Sequence, residues 1–368
     1  MFNNKKILIT GGTGSWGQEL TRQLFNKYNP EEIRIYSRGE QRQVQMRRDF
    51  KNNPKLKFII GDVRDKYRLL MATKGIDFVF HLAALKHVPI CEENPWEAVQ
   101  TNIIGTQYLI DVCIENNIQK VVDVSTDKAV DPLNLYGVTK ACGEKLIVAA
   151  NKINYKTEFV CIRGGNVIGT NGSVVPLFKE QLIRLNEITI THDGMTRFLM
   201  RLEEAIQLVL EATINSVGGE IFVMKMPACR ISDLANVMIK RLGNNKSKKK
   251  IIGVRPGEKM YEVLVSRYEL SRTYTYDKYF VILPQIKISN NEKFYTLKGL
   301  TKYSGDEEFN SNNAYLLSQK EIEEVLEKDG WLNRDTERQP LDYLRSLDEK
   351  TLENFFKAEG WIKNSNSQ

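Results

Sequence analysis

A chain of 368 residues, 42% of them apolar, has material for a large core, and its formal charge of +7 comes from scattered basic residues. That balance suits an anionic small substrate and gives no nucleic-acid footprint. Three histidines and five cysteines without a C-x-x-C pair exclude the usual metal sites and a disulfide framework. No apolar run approaches the ~18 residues of a membrane span, so a cytoplasmic protein without metal, membrane or nucleic-acid partner is expected.

In chain order, residues 6–10 read as a buried strand, 11–17 as a glycine-rich turn and 18–26 as a helix. A strand at 33–37, a helix at 41–50 and a strand at 57–60 follow, and residues 61–65 open another helix. The alternation continues through strands at 77–81, 121–125 and 159–163, with a long helical stretch before the second of these. β-Branched strands alternating with helices indicate a parallel sheet covered on both faces. Beyond residue 164 the pattern becomes irregular, with helices at 202–213 and 231–242 and a strand at 221–223. The lysine cluster at 246–250 reads as a solvated loop entering a strand. Charged helical stretches at 318–328 and 348–359 accompany Trp331 and Trp361. The expected fold class is α/β: a Rossmann-like doubly wound parallel sheet with a smaller interwoven substrate lobe and a helical C-terminal tail. Residues 1–165 form the nucleotide-binding domain, to which 196–225 return. Residues 166–195 and 226–300 form the lobe, and 301–368 are a packing arm, lid or oligomer contact.

Gly11, Gly14 and Gly17 follow a strand and open a helix, the context of a dinucleotide fingerprint. Gly11 permits the tight turn, Gly14 lets the backbone approach a pyrophosphate, and Gly17 allows close helix–strand packing. Thr13, Ser15 and Trp16 share that turn, and the helix start offers unpaired N–H groups to phosphates. An NAD site carries an acidic residue at the end of the second strand. Here that place holds Ser37 and Arg38, so NADP is expected over NAD; the alternative makes Arg38 a surface charge. Asp62 and Val63 border the adenine in this reading, and Ala83 lines the ribose side.

The most informative run is Ser125-Thr126-Asp127-Lys128 followed by Tyr136-Gly137-Val138-Thr139-Lys140. A lysine one helical turn after a tyrosine lies on the same face. Its charge pulls the phenol down from a pKa of ~10 and its amine can hold a nicotinamide ribose. Asp127 and Lys128 add an acid and a base, so the chemistry goes beyond simple oxidation of an alcohol.

These segments resemble an extended short-chain dehydrogenase/reductase, and more narrowly the inverting UDP-N-acetylglucosamine 4,6-dehydratases that begin pseudaminic acid synthesis in bacteria. The resemblance also rests on residues 83–89, Asn166-Val167-Ile168-Gly169, Met195-Thr196-Arg197-Phe198 and Arg255-Pro256-Gly257-Glu258-Lys259. It covers about the first three hundred residues. It implies that Tyr136 takes the C4 hydroxyl proton, Lys140 orients the cofactor, Lys128 removes the C5 proton and Asp127 assists departure of the C6 hydroxyl. Thr126 bonds the C4 oxygen, Lys86 stands beside substrate and cofactor, and Asn102 and Val167 lie near the cofactor. Asn166, Val174, Arg197, Arg255 and Glu258, with Lys86 and Lys128, form the expected UDP-sugar set, where forked arginine donors suit a diphosphate. Asn102 has an alternative role bracing helix backbone, and the lobe residues one as salt bridges. The resemblance implies a homo-oligomer. The chain departs from the family pattern at Gly164, where relatives tend to carry tyrosine. Rival readings are a UDP-sugar 4-epimerase or retaining dehydratase, and a non-catalytic nucleotide-sugar-binding protein, whose signature would be a degenerate site.

Overall fold

A computed structural model describes residues 1–153, 156–170, 173–286 and 299–333. The expected helix at 348–359 and Trp361 lie outside the described residues. The chain divides into two compact units, each assembled from three stretches of sequence.

The first unit comprises Met1–Gly164, Glu203–Lys225 and Val263–Glu308. Among the described residues it holds a ten-stranded sheet. Seven strands are parallel, in the order Leu56–Ile60, Glu32–Ser37, Lys6–Thr10, Phe78–His81, Lys120–Thr126, Glu158–Gly164 and Ile221–Met224. Consecutive strand residues point to opposite faces. Ile7, Leu8 and Ile9 are nonetheless all inaccessible, as are Val79 and Phe80, so both faces are covered. The strand order reverses between Lys6–Thr10 and Phe78–His81, the switch point where open α/β sheets bind ligands.

Tyr279–Ile282 then adds antiparallel to Ile221–Met224, and Thr273–Tyr276 and Thr301–Lys302 continue the sheet beyond it. This hairpin corrects the expected boundaries. Residues 263–300 were assigned to the lobe, yet Val263–Glu308 clusters with the sheet because its strands extend it. Within the expected return segment, residues 203–225 do join the sheet unit, while 196–202 stay with the second unit.

The second unit comprises Gly165–Leu202, Met226–Glu262 and Phe309–Gln368. Helix Val174–Leu185 contributes Val175, Phe178 and Leu182 to its core, and helix Ile231–Leu242 contributes Leu234, Ala235 and Met238. Two short sheets pair Thr196–Phe198 with Ala228–Arg230, and Glu187–Ile190 with Lys248–Ile251. The lysine cluster thus enters a strand as expected, and Lys248 and Lys250 both pair with Glu187.

The tail's described part packs as an arm into the core of the second unit. Ser318 and Glu321 form a reciprocal capping box at the start of helix Gln319–Lys328. That helix buries Ile322 and Leu326, and Trp331 and Leu332 complete the same apolar cluster. A Cβ on Gly169 would lie 2.4 Å from the Trp331 ring, and Gly169 has a φ of 72°, so only glycine fits beneath the indole there.

Candidate active site

The first strand hands over to helix Ser15–Lys27 through Gly11, whose φ of 66° needs no side chain. A Cβ on Gly17 would come within 2.4 Å of Gly12, so the helix start and the turn touch backbone to backbone. Gly14 caps the helix without a side-chain bond, and the first turn carries no acidic residue. Its leading N–H groups therefore face no competing carboxylate. Gln18 fixes the turn by donating to the Thr13 carbonyl at 3.0 Å. Trp16 and Ser15 are half-buried.

At the end of the second strand, Ser37 Oγ and its carbonyl both accept from Gln43 Nε2 at 3.0 Å. Arg38 is exposed and no carboxylate occupies its position. Tyr36 lies under Gly61 and donates to the Asp62 carbonyl at 2.7 Å. Burial pushes the Asp62 carboxyl up, but bonds from Arg64 and the Arg64 and Arg38 charges outweigh it, so the net shift is downward. Val63 is buried, and a Cβ on Gly105 would meet it at 2.9 Å.

Residues 82–87 follow the fourth strand. Asn102 is buried and accepts from Leu85 N–H at 2.8 Å while donating to the Leu85 carbonyl at 2.9 Å and to Thr139 at 3.0 Å. Both amide hydrogens are thus engaged, and Asn102 ties this loop to the helix of Tyr136 and Lys140. The bracing alternative is the one its contacts describe. Ala83 is half-buried, packed where a Cβ on Gly11 would strike its backbone. Lys86 is exposed by area, yet desolvation of its ammonium first, and the Lys128 charge second, lower its pKa.

Strand Lys120–Thr126 ends in a single 3₁₀ turn, Asp127–Ala129, and helix Leu135–Ile153 follows. Asp127 is 1% exposed. Its Oδ1 accepts from Thr126 Oγ1 at 2.9 Å and from Lys128 Nζ at 3.0 Å. Its Oδ2 is buried without a hydrogen-bond partner among the described residues, as are Ser125 Oγ and Thr101 Oγ1. Buried polar atoms are normally paired, so Ser125 Oγ and Asp127 Oδ2, two residues apart, leave room for a ligand's polar groups. Together with the glycine cradle they fit a dinucleotide and its substrate.

Tyr136 is nearly buried, and Thr126 hydrogen-bonds its phenol. The expectation that Lys140 draws the phenol below its ordinary pKa is corrected. Burial is the largest influence and raises it; Lys140, Lys128 and Thr126 oppose without prevailing. Lys140 itself is 5% exposed, and Asp123 holds its Nζ at 3.3 Å from both carboxylate oxygens. Burial pushes the lysine down, but Asp123 and then Tyr136 carry it above its ordinary value. The sequence pattern does not single out Asp123, although a carboxylate inside the apolar run Val121-Val122-Asp123-Val124 is a visible signal. Gly164 pairs in register with Thr126 on the adjoining strand, so the departure from tyrosine lies directly beside the catalytic run.

In the second unit, Arg197 is engaged within its own lobe. It donates to the carbonyls of Thr196 at 2.7 Å and Lys259 at 2.8 Å, and lies 3.6 Å from Glu258 and Glu262. Arg255 to Glu258 form a tight turn closed by Glu258 N–H to the Arg255 carbonyl at 3.1 Å, with Gly257 at a φ of 73°. Proline before a positive-φ glycine is the type II pattern. Glu258 Oε2 accepts from Arg255 N–H at 3.2 Å. Asn166 Oδ1 is buried and unpaired among the described residues. Val167 is buried and bridges to Met200, while Val174 packs on the lobe core.

All five cysteines are free, and no cluster that could hold a metal ion occurs among the described residues. No helix among them is long and apolar enough to cross a membrane.

The sequence matches the family described as "Polysaccharide biosynthesis protein" over residues 7–284. It is 44% identical over 334 residues to the UDP-N-acetylglucosamine 4,6-dehydratase (inverting) of Campylobacter jejuni, covering 89% of this chain and 98% of that protein. It is also 44% identical over 331 residues to the UDP-glucose 4-epimerase of Rickettsia bellii, covering 89% and 96%. The solved structure of Pen from Bacillus thuringiensis superposes with a TM-score of 0.83 at 35% identity, over 90% of this chain and 99% of that one. With its dinucleotide cradle and Tyr-x-x-x-Lys pair in the same unit, the chain belongs to the polysaccharide biosynthesis protein family, as an extended short-chain dehydrogenase/reductase of the sugar-nucleotide 4,6-dehydratase type.

Proposed function

We propose that the protein is an NADP-dependent UDP-N-acetylglucosamine 4,6-dehydratase that inverts C5, giving UDP-2-acetamido-2,6-dideoxy-β-L-arabino-hex-4-ulose for pseudaminic acid or a related bacterial surface sugar. The observation that carries this reading is the buried Asp127 carboxylate 3.0 Å from Lys128, on the turn that precedes the helix of Tyr136. Oxidation or epimerisation at C4 needs only Tyr136 and Lys140. An acid and a base in contact beside them are needed to remove a proton from C5 and a hydroxyl from C6.

Gly11, Thr13, Gly14, Ser15, Trp16 and Gly17 hold the pyrophosphate in this reading, Ser37 and Arg38 the 2′-phosphate, and Asp62, Val63, Ala83 and Lys86 the adenine and ribose sides. When bound, the nicotinamide supplies a hydride acceptor and donor. Tyr136 accepts the C4 hydroxyl proton in its phenolate form, which Lys140, Lys128 and the Thr126 hydrogen bond favour against the burial that opposes it. The C4 carbonyl acidifies C5, and Lys128 removes that proton. A charged ammonium cannot do so. Passing one proton across the 3.0 Å contact leaves Lys128 neutral and Asp127 acidic, the two forms that the elimination requires. Asp127 then protonates the departing C6 hydroxyl through its unpaired oxygen. Return of the C5 proton on the opposite face sets the L-arabino configuration. Asn166, Val174, Arg197, Arg255 and Glu258 receive the UDP portion in this reading, and the active form is a homo-oligomer acting in the cytoplasm.

Incubation with UDP-N-acetylglucosamine in heavy water tests it by NMR. A 4-keto-6-deoxy product with deuterium at C5 and inverted configuration is expected; a retained D-configuration would overturn the inversion. The identity to a named UDP-glucose 4-epimerase favours one competing reading, C4 epimerisation. That reading requires a 4-epimer without C5 label, and unreacted substrate would sink both.

A further inference from the structure

Four neighbouring parallel strands bring Thr10, His81, Asp123 and Cys161 into one register row. Thr10 Oγ1 lies 2.7 Å from His81 Nδ1, and His81 Nε2 lies 3.3 Å from Thr106 Oγ1. The next member, Asp123, meets Lys140 from helix Leu135–Ile153. No member of this row touches water appreciably: Asp123 and His81 are 1% exposed and Cys161 is inaccessible.

The groups facing the ion pair come from three directions. His81 approaches from one flanking strand, held neutral by burial with its pKa lowered to about 4. Cys161 approaches from the other, its thiol pushed well up, first by burial and then by Asp123 and Glu144. Tyr136 stands one turn before Lys140 on the same helix. Arg163 and Glu144 pair with each other beside Cys161. Among the described residues the amine of Lys140 therefore has one adjacent countercharge around neutral pH, the Asp123 carboxylate.

We propose that Asp123 is a positioning residue for the Tyr136–Lys140 pair, holding the lysine ammonium charged and fixed through contact with both carboxylate oxygens. The proposal rests on the dehydrogenase reading of that pair. A buried amine stripped of its carboxylate sheds its proton at lower pH or swings toward other acceptors. Either change removes the cation that orders a ribose and faces the phenol. Asp123 does this from the middle of strand Lys120–Thr126 and needs no contact with substrate.

The test compares wild type, Asp123→Asn and Asp123→Glu in NADPH binding by nicotinamide fluorescence, and in turnover, each across pH. With the amide, the alkaline limb of both profiles moves down by about one to two pH units while the acid limb stays. Near pH 9 both NADPH affinity and kcat fall about tenfold relative to wild type, with KM for the sugar nucleotide unchanged. The glutamate variant keeps the wild-type alkaline limb, because the charge remains, but loses about tenfold in kcat, because the longer side chain displaces the amine. An Asp123→Asn protein with the wild-type alkaline limb in NADPH binding would overturn the proposal. Should that variant not fold, a glutamate variant with undiminished kcat and NADPH affinity would overturn it equally. Binding needs no turnover, so a wild type that binds NADPH but leaves the sugar nucleotide intact sinks the dehydratase reading and not this one.

Discussion

The two ends of strand Lys120–Thr126 handle buried polar groups in opposite ways. At its start Lys120 is 3% exposed, and its ammonium reaches the Thr213 carbonyl at 2.8 Å, the Ser216 carbonyl at 2.7 Å and Glu158 at 3.0 Å. Those carbonyls end helix Leu202–Asn215, so the lysine serves as its C-terminal cap. At the other end Ser125 Oγ and Asp127 Oδ2 are equally buried and have no partner among the described residues. The Lys120 charge is fully engaged by scaffold, whereas the unpaired atoms at the other end belong to the candidate site. One seven-residue strand carries both.

Substitutions at the two ends sharpen or break that contrast. Lys128→Met carries the largest expected effect, a fall in dehydration rate of about 10³-fold with no C5 deuterium exchange and an unaltered melting temperature. A variant that still exchanged C5 would remove Lys128 from the role of base. Lys120→Met is expected to do the reverse, costing about 3 kcal/mol in chemical denaturation while kcat per folded molecule stays at the wild-type value. A loss of kcat without loss of stability would erase the contrast.

Next comes Glu220, inaccessible and near Lys120, with its pKa raised to about 7 chiefly by burial. A raised folded value means that the native state binds the proton more tightly than the unfolded chain. The stabilisation is complete below the unfolded value of ~4.3 and is lost as pH rises through about 7, on the order of 3 kcal/mol at most. Denaturation midpoints should fall over that window, and Glu220→Gln should flatten the slope. The smallest effect is expected at Arg38, where Ala should weaken NADP binding about tenfold and leave NAD binding unchanged, read by isothermal titration.

Most of the sheet was legible because its strands are short β-branched runs, and the turn from Gly11 to Gly17 was legible from its glycine spacing. The candidate catalytic run stood out for a similar reason: Thr126, Asp127, Lys128, Tyr136 and Lys140 are close in sequence. Asp123 was not, since its partner lies seventeen positions away and only the packing of helix on strand joins them. The hairpin at Thr273–Tyr276 and Tyr279–Ile282 was hidden because edge pairing is a tertiary choice. Trp331 looked like part of an appendage, although Ser318-x-x-Glu321 ahead of Ile322 and Leu326 already spelled a capped, one-sided helix. For Tyr136, charge spacing suggested a lowered pKa, and burial, invisible in the sequence, reversed it.

The interleaving of the two units has a consequence for biosynthesis. Strand Ile221–Met224 leaves the ribosome more than fifty residues ahead of Tyr279–Ile282, its neighbour in the finished sheet. At roughly 5–20 residues per second, the edge holding Phe222 and Val223 waits several seconds uncovered. A nascent polypeptide with such an open flank is a template for neighbouring chains on the same polysome. Slowing translation between codons 225 and 279 should therefore lower soluble yield without altering the enzyme that is eventually released.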